Sequence, residues 1–483
     1  MAGITHLKQA DWVVGFDGRG HRYLRNADVV WQGDTIVFVG KRYDGPADTV
    51  VDGSGKLVHP GLINTHGHAS MEALKKGLLE DRGSSKLGMS GLFEYPLRAQ
   101  SPEDMHVALR VGLTEMLKSG CTTVLEEGRH DLDSVAVIDE TGIRAYPTRI
   151  HANGFWHTQN GHRVDWDLDD DRGFEALEAS VAFVKTVNAM GNPRLRSMLS
   201  PLSPDACTKD LLKATREVAD REGWRVHVHC SQSVVEFQEM IRRHGQTPPE
   251  VLDECGLLAP DVSLGHLIFL NDHPWINYIA ADDFELVRSR GASVDYAPWV
   301  FGRRGIIQHS FARWARAGVN VSLGTDSYPQ DMMHVMRWAA IFSKIADRDP
   351  HQGNARQVFD AATLGGARTL GRDDLGRLAA GAKADVVMVD LDNLWMRPVR
   401  DPLRSLVFTA TSRAVDRVYV GGELVVDGGR VLTQDEGQLI KDLQEVAERT
   451  LNASFPALDW AKRTPDEMFP LAYDLWDGET ARA

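Results

Sequence analysis

Hydrophobic and polar positions along the chain fall into two regimes. From Asp11 to about Lys56, short apolar runs are broken by turn residues: Trp12-Val13-Val14-Gly15-Phe16-Asp17-Gly18, Ala27 to Asp34, and Thr35 to Gly40. Strands this short and this close together predict a small antiparallel sheet. Some fifty residues cannot cover both faces of such a sheet, so it needs a partner. Ala384 to Asp390 and Val415 to Gly428 near the far end supply runs of the same kind. The expectation is a β-sandwich built by both chain ends, residues 1–57 and 376–432, with everything between them inserted.

The inserted stretch, residues 58–375, alternates short apolar strands with amphipathic helical segments. Its strands are Leu57 to His68, Cys121 to Leu125, Ile143 to Tyr146, Arg194 to Leu199, Trp224 to His229, Val262 to His266, Ala292 to Tyr296 and Val319 to Asp326. Eight strands separated by helices predict an α/β fold, a closed (β/α)8 TIM barrel. Residues 433–483 follow as a helical tail, with Leu439, Ile440, Leu443, Val446 and Leu451 on a loose apolar stripe.

Composition narrows the class. The chain has 483 residues, 43% hydrophobic and 25% charged, enough for a large core. Its 54 basic and 68 acidic residues leave a net charge of −14, with no lysine or arginine run, which argues against a nucleic-acid or anionic-membrane partner. Neither a signal segment nor an apolar run of the ~18 residues a membrane helix needs is visible. Cys121, Cys207, Cys230 and Cys255 lack CxxC spacing, so neither a disulfide framework nor a cysteine zinc site is expected. The expectation is a cytoplasmic enzyme acting on a small molecule.

In a (β/α)8 barrel, chemistry sits at the C-terminal ends of the strands. His66 and His68 close strand one, His229 strand five, His266 strand six and Asp326 strand eight. Residues two apart in a strand share a face, so His66 and His68 can grip one ion. Three histidines and a carboxylate suit one divalent metal, Zn²⁺ first, with Fe²⁺ or Co²⁺ as alternatives. Such an ion lowers the pKa of a bound water from about 15.7 toward ~7. Asp326 could both touch the metal and take the water's proton, and His266 could hold the attacking water or the developing oxyanion.

The combination of His-x-His after Pro60-Gly61-Leu62-Ile63-Asn64, a strand-five and a strand-six histidine, and Gly324-Thr325-Asp326 resembles the amidohydrolase superfamily. Asp374 to Asp385 resembles that family's return into its β-domain. The likeness is greatest to the branch of triazine hydrolases and aminohydrolases of purine-like rings. It implies that His66, His68, His229 and Asp326 are metal ligands and that His266 is a catalytic histidine. Relatives with two metals bridge them with a lysine at strand four, but Leu195 to Pro204 holds none, which implies a single ion. Glu126 and Glu127, at the end of strand two, could support a second metal, but are read first as solvated or salt-bridged loop carboxylates. Oligomers are common for this fold class, and by that analogy alone a homo-oligomer is expected.

Two departures shift the expected chemistry. Deaminases of the branch carry a glutamate three residues after the strand-five histidine, which protonates a ring nitrogen. Here that position is Gln232, and an amide cannot shuttle a proton. Gly324 to Met332 also lacks the usual Ser-Asn pair. The expected reaction is therefore hydrolysis of an amide, urea or carbamate-type C–N bond, with Gln232 hydrogen-bonding the substrate and an amine leaving; the resemblance implies this too, since phenylurea- and thiocarbamate-type hydrolases belong to the same neighbourhood of the superfamily. The alternatives are an aminohydrolase or chlorohydrolase of a purine, pyrimidine or triazine ring, and a non-catalytic barrel acting as scaffold or binding protein. Met89, Phe93, Phe155, Trp156, His157, Trp299 and Phe301, in loops at strand ends, are candidate substrate contacts and lean toward an apolar or aromatic substrate. His151 is a further candidate to face it.

Overall fold

A computed structural model describes residues 3–78, 101–157, 163–306, 310–458 and 463–476. Both chain ends enter one nine-stranded sheet, made from five N-terminal strands between Ile4 and Pro60 and four returning strands between Val386 and Val431. Lys56–Pro60 is the seam. It runs parallel to Ile4–Phe16, with Leu57 opposite Trp12, and antiparallel to Val386–Asp390, with Val58 opposite Met388. Leu7, Val13, Trp31, Ile36, Val58, Val386 and Met388 form this domain's core. Neither end has enough apolar surface to close that core alone, which is why the chain returns.

The barrel strands are Leu62–Gly67, Cys121–Glu126, Arg144–Pro147, Val226–Cys230, Val262–His266, Ser293–Tyr296 and Val321–Leu323. Between the third and fifth staves, residues 194–201 supply the fourth through isolated parallel bridges, Ala145 to Leu195 and Leu199 to Val226. The ring closes between strands eight and one, where Gly67 bridges to Asp326. Every described residue of these strands is buried, as expected when helices cover the outside and packed side chains fill the inside. The covering helices start on short polar caps: Ser101 before Pro102–Lys118, Ser233 before Val234–His244 and Asp331 before Met332–Asp347.

A buried ion pair ties the two domains. Arg144, at the start of strand three, donates from Nε and Nη2 to both carboxylate oxygens of Asp385, each at 3.0 Å. Asp385 also accepts from the backbone N–H of Gly421 at 2.7 Å. The C-terminal helix Glu436–Leu458 packs on Pro102–Lys118, burying Leu439 and Val446 there, with Lys118 and Glu436 paired at 2.6 Å. Ile440, expected on the apolar stripe, is exposed instead, because the face that meets the barrel helix is narrower than the stripe. The four cysteines are buried and free. Among the described residues, no helix is long and apolar enough to cross a membrane.

Candidate metal centre and active site

The first and last strands are welded where they carry their functional residues. Asp326 N–H donates to His66 O at 2.8 Å, and His68 N–H donates to Asp326 O at 3.2 Å. Asn64, inside the same motif, clamps the join: its Oδ1 accepts from the N–H groups of His66 (3.2 Å) and Thr325 (3.1 Å), and its Nδ2 donates to Thr325 Oγ1 at 2.8 Å. The strands approach so closely that a Cβ on Gly324 would lie 2.5 Å from that of His66. Asp326 itself has φ 57°, an unusual backbone for a non-glycine residue and one that persists only when its surroundings enforce it.

Each of the three histidines assigned by resemblance is held through Nδ1. His66 Nδ1 lies 2.7 Å from Glu127 Oε1, His68 Nδ1 donates to the carbonyl of Glu127 at 3.0 Å, and His229 Nδ1 donates to the carbonyl of Leu202 at 2.9 Å. That leaves the three Nε2 atoms for a common centre. Fixing one ring nitrogen so that the other can bind a metal is the usual arrangement of ligating histidines.

The donor set fits a divalent ion. His68 Nε2 and His229 Nε2 are 3.3 Å apart. Two nitrogens each about 2.0–2.1 Å from a tetrahedral zinc stand about 3.3–3.4 Å apart. Asp326 Oδ1 is 3.8 Å from His68 Nε2 and 4.0 Å from His66 Nε2. Among the described residues, His66 Nε2, Asp326 Oδ2 and both carboxylate oxygens of Glu127 are buried without a hydrogen bond of good geometry, a costly state for polar atoms that a cation relieves. Burial and the neighbouring imidazoles hold His229 and His266 well below the ordinary histidine range, whereas the charges of Glu127 and Asp326 outweigh burial and raise His68.

His266 lies on the far side of Asp326, with Nε2 3.9 Å from Oδ2. It has φ 79° and the next residue, Leu267, φ 48°. Phe301 is fully buried and packs edge-on against the His266 ring at 4.9 Å between centroids, so it steadies a candidate catalytic group from behind.

Glu126 and Glu127 are paired with histidines, but they are buried and not solvated. Glu126 is buried and accepts from the N–H groups of Ala69 (3.0 Å) and Ser70 (3.3 Å), fixing the turn after His68. Glu127 is buried among imidazoles. Besides His66, its Oε1 meets His227 Nε2 at 3.0 Å, and its Oε2 lies 3.6 Å from His229 Nε2. On the opposite edge, His227 Nδ1 lies 3.1 Å from Asp295 Oδ2 and 2.7 Å from Ser263 Oγ. Burial disfavours charge on His227, yet Glu127 and Asp295 push it up to about 10. The sequence held a signal for His227: it stands two residues before His229 and shares its inward face, repeating the spacing of His66 and His68.

Gln232 is nearly buried, three residues past His229, with Oε1 lacking a hydrogen-bond partner among the described residues. Glu236 shapes this turn. Its two oxygens accept from the N–H groups of Ser231 (2.8 Å) and Gln232 (2.7 Å), with Ser231 at φ 54°. Burial and the nearby carboxyl of Asp205 raise Glu236 above the usual carboxylate range.

The remaining candidates separate. Met89 and Phe93 lie outside the described residues. Phe155, Trp156 and His157 sit on a hairpin, Gly154–His157 paired with Asp165–Leu168, and line an open cavity of about 860 Å³ with Arg129 and Arg149. Trp299 instead packs on His334 and Trp338 and donates from Nε1 to the carbonyl of Tyr328 at 3.2 Å, which braces the loop after Asp326. His151 is fully buried against Thr215, its Nε2 2.9 Å from Oγ1, so it packs beneath a helix and faces no substrate. Burial pushes it down to about 3.

Comparison with known proteins agrees with this architecture. The sequence profile of the amidohydrolase family matches residues 57–425. The chain is 32% identical over 437 residues to a 5'-deoxyadenosine deaminase of Methanothermobacter thermautotrophicus, covering 89% of this chain and 95% of that protein. It is 31% identical over 437 residues to a 5-methylthioadenosine/S-adenosylhomocysteine deaminase of Pyrococcus abyssi, covering 89% and 96%. In fold it resembles an adenosine deaminase from Xanthomonas campestris with bound zinc (TM-score 0.78, 23% identity, 92% and 98% covered). It also resembles an atrazine chlorohydrolase from Arthrobacter aurescens complexed with zinc (TM-score 0.76, 23% identity, 92% and 100% covered). The sequence relatives named here are nucleoside deaminases and not phenylurea or carbamate hydrolases. With a profile spanning both the barrel and the return into the sheet, the chain belongs to the amidohydrolase family, hydrolases of carbon–nitrogen bonds.

Proposed function

We propose that this protein is an aminohydrolase that replaces an exocyclic amine of a purine-type ring with oxygen, releasing ammonia. The observation that supports it is similarity to nucleoside deaminases over 89% of the chain, joined to two converging groups that share His66: His66, His68 and His229 with Glu127, and His66 and His266 with Asp326. Both enzymatic readings of the sequence survive in those groups. The relatives favour ring chemistry over the acyl C–N hydrolysis expected from Gln232.

In this reading His66, His68, His229 and Asp326 would hold one zinc ion. When bound, the metal supplies hydroxide at neutral pH by acidifying water. Asp326 Oδ2 takes the water's proton and returns it to the departing amine. His266 Nε2, near that oxygen and held neutral, hydrogen-bonds the attacking oxygen and orients it toward the ring carbon. Gln232 presents an amide: its Oε1 accepts from the exocyclic amine and its Nε2 donates to the adjacent ring nitrogen, stabilising charge there without transferring a proton.

Amide, urea or carbamate hydrolysis remains the second reading, favoured by one observation: an amide at position 232 cannot act as the acid that ring substitution uses. Incubating the zinc-loaded protein with 6-aminopurine nucleosides, and separately with N-aryl amides, ureas and carbamates, tests the two. Ammonia from the first group is the expected result. Amine release from the second alone overturns it.

A further inference from the structure

Glu127 does two jobs at once for the His-x-His pair. Its main-chain carbonyl accepts from His68 Nδ1 at 3.0 Å, while its carboxylate meets His66 Nδ1 at 2.7 Å. The main-chain contact is available to any residue. The side-chain contact, with its negative charge between His66 and His227, requires a carboxylate of this length at this position.

The carboxylate is enclosed by imidazoles at ion-pair distance. No part of it reaches solvent, and Oε1 also meets His227 Nε2 at 3.0 Å, with Asp295 on that ring's other edge at 3.1 Å. The hydroxyl of Ser322 in turn reaches Asp295 Oδ1, and Thr369 Oγ1 donates to Ser322 Oγ at 3.0 Å. The line Asp295–His227–Glu127–His66 thus links barrel strands seven, five, two and one across the interior. A buried carboxylate without such partners would cost several kcal/mol, so this line exists because Glu127 is there. What it achieves lies at its inner end: His66 Nδ1 faces the Glu127 carboxylate at 2.7 Å and His227 Nε2 at 3.1 Å, an arrangement that favours the proton on Nδ1 and the lone pair on Nε2.

We propose that Glu127 is a positioning residue of the metal centre, holding His66 in its ligating orientation through a buried Asp295–His227–Glu127 line and thereby setting the affinity for the ion. This inference rests on the metal site described above. Groups that orient ligating histidines are typically worth 10–100-fold in metal affinity.

The test is the zinc affinity of the full-length apoprotein, measured by competition with a chromogenic chelator, and the visible absorption spectrum of the cobalt-substituted protein. Glu127→Gln should bind zinc about 10–100-fold more weakly, with a shifted cobalt spectrum and an apoprotein melting cooperatively like wild type. Asp295→Asn, two contacts further out, should weaken binding in the same direction by a smaller factor. Unchanged affinity and an unchanged cobalt spectrum in Glu127→Gln overturn the proposal. So does a Glu127→Gln protein that stays unfolded at saturating zinc while Asp295→Asn binds like wild type, since Glu127 would then serve the fold alone. A wild-type protein that binds no zinc or cobalt refutes the metal site itself, a different failure from the first two.

Discussion

His66 and Asp326 are joined twice, once by backbone and once across the site. The N–H of Asp326 donates to the carbonyl of His66 at 2.8 Å, and its carboxylate faces His66 Nε2 at 4.0 Å. The bond that closes the barrel is therefore also the bond that sets the distance between two proposed ligands. Closure and chemistry share one piece of backbone.

Asp326→Asn separates those roles. Asparagine tolerates the left-handed backbone at φ 57°, so the weld and the fold should persist. The amide cannot take a proton, and kcat should fall at least about 10³-fold. Steady-state kinetics beside circular dichroism checks this; wild-type turnover would remove Asp326 from the mechanism.

Gln232→Glu places an acid where the sequence lacks one. On the ring-substitution account, kcat for a 6-aminopurine nucleoside should rise by on the order of 10²-fold. The gain requires the protonated carboxyl, so it should fade as pH rises through that group's pKa. An unchanged rate and pH profile would place residue 232 away from the reacting ring.

The strand-end histidines and Asp326 were legible in the sequence because strand periodicity and barrel geometry both point them to one rim. The Asp295–His227–Glu127 line was not, since its members lie up to 168 positions apart (295 − 127) and only barrel closure brings them together. His151 misled for a related reason: a histidine just past a strand end looks available, and only packing shows that Thr215 and a helix cover it. The partnership of both chain ends was readable because neither could bury its apolar face alone. Ile440 was misplaced because periodicity shows which residues share a stripe, not how wide a stripe the neighbour covers.

His151 also makes a pH prediction. It stays neutral in the folded protein down to about 3, whereas the unfolded chain takes up its proton near 6.5. Its contribution to stability is whole above about 6.5 and is lost as pH falls toward 3, by up to about 1.4 kcal/mol per pH unit. In His151→Gln, which keeps a donor for Thr215, the stability gap to wild type should narrow on acidification. Urea unfolding between pH 7 and 4 measures it; a pH-independent gap would contradict it.

Asp385→Ala tests the link between the domains. It strands the fully buried Arg144 guanidinium and removes the acceptor of Gly421 N–H. Breaking one side of a buried pair costs about 3–5 kcal/mol. Urea denaturation should show that loss, and a cost below about 1 kcal/mol would mean the domains hold together by apolar contact alone.

The most direct measurement is mass spectrometry of the product formed by the zinc-loaded protein from 5′-deoxyadenosine in ¹⁸O-labelled water. The account predicts a 6-oxopurine nucleoside with one labelled oxygen on the ring, and one ammonia per turnover. Unchanged 5′-deoxyadenosine, together with amine release from an N-aryl urea or amide, would contradict ring substitution and assign the site to acyl C–N hydrolysis.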